Sequence, residues 1–272
     1  MTAVALGRAD TAYNRVPKVT VDFWLIKLMA VTVGETAADY MNLDLELGLV
    51  KTAWILSGVL IVALAVQFAQ RRYVPWSYWI SVVLISVVGT LITDNLEKMG
   101  VSLLTSTILF SLLLAMTFAI WYGFERTLSI HSIYTTRREV FYWLAILFTF
   151  ALGTAAGDLG AEIIGLGFVY TGLVFGAVIA AIAAVYYAGW MNGILAFWLA
   201  YILTRPLGAC FGDFLSQGYK YGGLGLGTVI TSYIFLGCIA GVVFYMTMTR
   251  DGEEIALKEA LEKNAVHEAQ EA

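Results

Sequence analysis

The chain has 272 residues, of which 60% are hydrophobic and 13% charged, where an ordinary soluble domain carries about 25% charge. That excludes a disordered chain, a nucleic-acid-binding domain and most soluble enzymes. The formal net charge of −4 is uneven: Asp251 to Ala272 alone holds seven carboxylates and two lysines.

In chain order, the start MTAVALGRADTAYNRVPKVT is polar and has no short apolar region with a small-residue cleavage site. Residues 1–19 therefore read as a cytoplasmic segment. A bilayer core needs about 20 apolar residues of helix. Eight segments qualify, at 20–39, 49–70, 74–94, 101–124, 140–158, 166–188, 194–214 and 224–248. They are continuous apolar runs, which favours helices over the alternating strands of a barrel. Pro206 predicts a kink in the seventh. Residues 249–272 read as a charged, amphipathic tail helix, with Ile255, Ala256, Ala260 and Leu261 on its weak apolar side.

Lys and Arg set the orientation. With the N-terminus inside, the cytoplasmic segments hold Arg8, Arg15, Lys18, Arg71, Arg72, Arg126, Arg137, Arg138, Arg250, Lys258 and Lys263, against Lys51, Lys98 and Lys220 outside. Both termini are expected in the cytoplasm. Lys27 and Arg205 fall inside spans. Cys210 and Cys238 lie in apolar stretches and give no disulfide framework, and two histidines are too few for a His-based metal site.

A motif recurs. Trp24, Gly34 and Asp39 share their spacing with Trp79, Gly89 and Asp94, with Trp143, Gly153 and Asp158, and with Trp198, Gly208 and Asp213. Composition alone predicts roughly 0.02 matches to W-x9-G-x4-D, so four mean duplication. The Asp-to-Asp steps of 55, 64 and 55 residues make two pairs, offset by 119. Each repeat holds two spans, so all four enter the membrane in the same direction, as parallel repeats with pseudo-twofold halves. Trp favours the interface. If each Trp marks the cytoplasmic edge, every Asp lies at one depth in the outer half. The polar first span of each repeat is expected inside, and the plainer second span outside.

The expected fold is all-α: a polytopic membrane protein of eight helices from four tandem repeats, about 20–70, 74–124, 139–188 and 194–248. The segments FWLIKLMAVTVGETAADY, YWISVVLISVVGTLITDNL, FYWLAILFTFALGTAAGDLG and FWLAYILTRPLGACFGDFLS carry a resemblance. The chain resembles the bacterial membrane-anchored proteins built from four tandem repeats of a domain of unknown function. Two transmembrane segments and a characteristic tryptophan per repeat are what that resemblance implies, with residence in the bacterial inner membrane. It implies no established chemistry.

An ionisable group in a bilayer usually faces the bundle interior or a water cavity. Asp39, Asp94, Asp158 and Asp213 are expected to converge, with Glu35 and Glu162 at the rim or floor and Lys27 and Arg205 below. Glu35 lies four residues before Asp39, Glu162 four after Asp158, and Gln217 four after Asp213. Thr90, Thr154 and Ala209 take Glu35's place in the other repeats. Such oxygen ligands suit hard cations, so Glu35, Asp39, Asp158 and Asp213 are the candidate metal ligands. Cys210 is a single soft alternative. The glycine pairs Gly153/Gly157, Gly208/Gly212 and Gly237/Gly241 suit close helix packing, or unwinding at the motif Gly. With no P-loop, H-E-x-x-H or G-x-S-x-G, neither an ATP engine nor an enzyme is expected. The leading expectation is a secondary transporter of a small cation, a divalent metal favoured, coupled to protons. The alternative is a membrane scaffold or sensor subunit whose polar residues only lock helices together. No cofactor is expected. The expected partners are the lipid bilayer and a small cation or proton, with no nucleic acid; a homo-oligomer is left open.

Overall fold

A computed structural model describes residues 14–41 and 48–271, without the side chains of 221 and 250–271. The described residues form an all-α bundle of eight helices, two from each repeat. They are α1 (Val21–Asp39), α2 (Leu49–Ala69), α3 (Pro75–Lys98), α4 (Leu103–Glu125), α5 (Thr136–Asp158), α6 (Gly167–Tyr187), α7 (Gly193–Ser216) and α8 (Thr228–Glu271). Polar caps start several of them. The side chains of Thr20, Ser102, Thr135 and Asn192 accept from the N–H of Phe23, Thr105, Arg138 and Ile194. Pro75 opens α3, where its missing N–H costs nothing.

The motif helices α1, α3, α5 and α7 form a closed inner ring, each packed on the next and α7 on α1. The outer helices are interlocked. α2 lies on α3, α4 on α5, α6 on α7, and α8 returns to α1. Each repeat thus covers its neighbour's motif helix.

The motif glycines make the ring. A Cβ on Gly34 would collide with Ser86, one on Gly89 would sit 2.9 Å from the Phe150 Cβ, one on Gly153 would collide with Arg205, and one on Gly208 would sit 2.5 Å from the Val31 Cγ1. Val31, Ser86, Phe150 and Arg205 all stand seven residues after their motif Trp. The same contact therefore recurs four times around the axis, and the inner ring is pseudo-fourfold. The ends keep a twofold difference. π-helical turns follow Asp39 and Asp158, whereas α3 and α7 continue beyond Asp94 and Asp213 as regular α-helix.

Several expectations change. α5 starts at Thr136, ahead of the expected 140, because Thr135 caps it. Pro206 lies inside α7 without ending it, and it packs on Gly153 and Gly157 of α5. Each motif Gly sits within α-helix, so unwinding there is not seen. Gly237 and Gly241 have no atom near the position of a Cβ, so they are not a close-packing pair. α8 is continuous into the tail; the side chains of Ile255, Ala256, Ala260 and Leu261, like Arg8 and the rest of 1–13, lie outside the described residues. Among the described residues seven helices are long and apolar enough to cross a membrane. The exception is α1, which holds Asp22, Lys27, Glu35 and Asp39 within 19 residues.

Gly208→Ala should lower stability by about 1–3 kcal/mol, the usual cost of overpacking. Thermal melting of the purified protein checks this. Adding Val31→Ala should recover part of the loss, so the double-mutant cycle should show coupling.

Candidate functional site

Counting from each Trp, the inner ring is stacked in layers. One residue before it stand Phe23, Tyr78, Tyr142 and Phe197; three after it stand Lys27, Val82, Ile146 and Tyr201. Eleven after it stand Glu35, Thr90, Thr154 and Ala209, and fifteen after it the four Asp.

At the Trp end the axis is closed by rings. Phe23, Tyr78 and Tyr142 are buried and pack edge-on or tilted against the motif tryptophans. The Tyr78 and Tyr142 hydroxyls meet at 2.5 Å. Trp79, Trp143 and Trp198 are buried too. Their N–H groups find protein acceptors: the Tyr73 hydroxyl at 3.1 Å, Glu139 Oε1 at 3.5 Å and the Leu128 carbonyl at 2.9 Å. Trp24 is half-buried. A segment at residues 14–16 crosses this end. Arg15 pairs with the fully buried Glu139 at 2.7 Å, and Gln67 donates to Glu139 at 3.2 Å.

At the Asp end there is a cavity of about 380 Å³. Its lining includes Asp39, Asp94, Asp158 and Asp213, together with Glu35, Glu162, Gln217, Leu49 and Phe168. The four motif Asp therefore share one site. Glu35 and Asp213 are buried at its floor, and Glu162 is exposed at its rim. Glu162 reaches the rim through the π turn Leu159–Ile163, not through regular helix. Glu97 and Lys98 also line the cavity. They were not expected there, although they follow Asp94 by three and four residues, the spacing that shares a helix face.

Beneath the cavity lies Arg205, fully buried. Its Nη2 donates to Glu35 Oε2 at 2.9 Å, to Thr154 Oγ1 at 2.8 Å and to Thr90 Oγ1. One nitrogen thus joins the equivalent residue of repeats one, two and three. In repeat four that position is Ala209, one turn beyond Arg205 on the same helix. Nε and Nη1 of Arg205 are buried with no hydrogen-bond partner.

Lys27, expected below the carboxylates, is held by neutral groups. It is fully buried, and its Nζ donates to the Tyr201 carbonyl at 2.7 Å and to Thr204 Oγ1. The ammonium also lies 3.9 Å from the centroid of the Tyr201 ring. Carbonyl dipole, hydroxyl and π-face solvate it in place of a carboxylate.

Of the candidate metal ligands, Glu35 is engaged by Arg205 through Oε2. Among the described residues no group of three or more His, Cys, Asp or Glu is placed to hold a metal ion. Cys210 is buried, and its Cβ packs near Gly172 of α6, away from the cavity lining.

The phenol pair gives a test of the closed end. Tyr78→Phe leaves the Tyr142 hydroxyl buried without this partner and should cost about 1–3 kcal/mol. Replacing both by Phe should recover part of that loss. Melting temperatures of the single and double variants check it.

A family model described as Repeat of Unknown Function (DUF347) matches the chain four times, at residues 23–73, 77–127, 141–189 and 196–251. No curated protein and no solved structure matches the chain.

Proposed function

The chain belongs to the family of DUF347 repeats, and we propose that it is a polytopic protein of the bacterial cytoplasmic membrane that moves a small cation by secondary transport coupled to protons. The observation that carries this reading is the cavity itself. Seven carboxylates line it with one lysine. Mutual repulsion in such a group favours uptake of protons or of an exchangeable cation. Oxygen ligands suit a hard divalent ion. The spread of the carboxylates suits one that keeps part of its water, as Mg²⁺ does.

Placement in a bilayer is supported by the outer helices. α6 has a mean hydropathy of 2.3, with only 6% of its apolar window buried in the protein. Such a surface matches lipid better than water. The charge bias puts the Trp end and both termini in the cytoplasm, with the cavity opening to the other side. On this reading the ring layer closes the cytoplasmic side, and transport requires that closure to open in turn.

The competing reading is a scaffold or sensor subunit. The Arg205 node favours it, because one nitrogen ties three repeats together. The two readings part at Asp158 and Asp213. Under transport, Asp158→Asn and Asp213→Asn each abolish cation flux into proteoliposomes while the melting temperature stays within a few degrees of wild type. Under the scaffold reading the same changes lower stability and leave no flux to lose. Wild-type vesicles that pass neither Mg²⁺, Mn²⁺ nor an organic cation, with or without a pH gradient, would reject transport.

A further inference from the structure

We propose that Arg205 is a tethered competitor for the transported cation: its guanidinium holds Glu35, and a cation reaches the axis only by taking Glu35 from it. This inference rests on the cation reading and adds what sets affinity at the cavity floor.

Three observations carry it. First, Glu35 has two surroundings at once. It lines the cavity, and its Oε2 accepts from Arg205 at 2.9 Å. A cation arriving from the cavity therefore meets a carboxylate that already has a positive partner. Second, Arg205 is incompletely used. Its three acceptors share the two N–H groups of Nη2, while Nε and Nη1 are buried without a hydrogen-bond partner. A guanidinium carries five N–H groups in a fixed fork, so spare donors remain for a second set of acceptors. Third, acceptors for such a set stand one helical turn away. Asp94 is four residues beyond Thr90, whose hydroxyl accepts from Nη2, Asp213 is four beyond Ala209 in the same layer, and both line the same cavity.

The exchange conserves charge. With Glu35 on Arg205, the pair is neutral and the floor is closed. When a cation takes Glu35, the guanidinium turns to Asp94 or Asp213 with its spare N–H groups. The hydroxyls of Thr90 and Thr154 favour the first arrangement, because they hold Nη2 beside Glu35. The observed affinity is then the intrinsic affinity reduced by the fraction of molecules whose Glu35 is released.

The test is Mn²⁺ binding to the purified full chain, followed by the loss of the free-ion EPR signal. Arg205→Met removes the competitor and should tighten binding by about tenfold or more. Arg205→Met with Glu35→Gln should lose that gain. Thr90→Val with Thr154→Val keeps both charges and should tighten binding several-fold, which provides a test if Arg205→Met does not fold. Arg205→Lys, still positive, should stay near wild type. A role in packing alone would lower melting temperatures and leave these affinities unmoved. Equal binding by wild type, Arg205→Met and the Thr double variant would overturn the inference and leave the cation reading standing. Absence of binding in every folded variant would overturn both.

Discussion

Four helices can close a ring around one axis this tightly only where each presents a surface without a Cβ. The motif glycines supply it, each against the residue seven places after the Trp of the next repeat. The rest of the interior depends on that approach. Because the backbones are close, aromatic rings from neighbouring helices meet and the Tyr78 and Tyr142 hydroxyls touch. For the same reason a single nitrogen of Arg205 reaches side chains of α1, α3 and α5. Wider spacing would leave those polar atoms buried without partners, which costs more than the bonds gain.

A fourfold backbone cannot carry a fourfold charge at its centre. One guanidinium occupies the space that four equivalent side chains would contest, so three repeats supply oxygen and the fourth supplies Arg205 and a small Ala209. Lys27 breaks the symmetry one layer lower, beside the aliphatic Val82 and Ile146 and on the face of Tyr201. Trp, Gly and Asp stay the same in all four repeats because they serve the ring and the cavity. The layers between them differ because the axis has room for one ion at a time.

Much of this was legible in the sequence. The Trp-Gly-Asp spacing gave four equivalent helices in one direction, and bilayer energetics pointed the aspartates inward together. What was not legible depended on neighbours rather than on spacing. The acceptors of the indole N–H groups, a Tyr hydroxyl, a Glu carboxylate and a backbone carbonyl, are supplied by distant or neighbouring elements that the Trp spacing does not reveal. Glu35 and Asp39 share a helix face, yet Arg205, 170 residues away, decides what Glu35 does. The aromatic residue before every motif Trp, Phe23, Tyr78, Tyr142 or Phe197, was visible in the repeat and marks the plug. The segment carrying Arg15 gave no such sign, since its role depends on a buried Glu139 that is 124 residues distant.

The two ends of the axis treat charge in opposite ways, and this bears on function. Where this chain uses a carboxylate to hold structure, it matches it closely. Glu139 receives Arg15, Gln67 and Trp143. Glu125 receives Arg137 at 2.5 Å and Arg138 at 2.6 Å. Burying an acid in this way stabilises a fold only when such partners come with it, because desolvation of the charge otherwise exceeds the gain. The Asp end gathers acid in one place. Its cavity gathers seven carboxylates around one lysine, with Arg205 beneath already committed to Glu35. Packing alone gives no reason to concentrate acid there, since Asn or Ser would cap and bond at lower cost. An excess of negative charge facing an open cavity is what the proposed exchangeable cation would stabilise by Coulomb attraction.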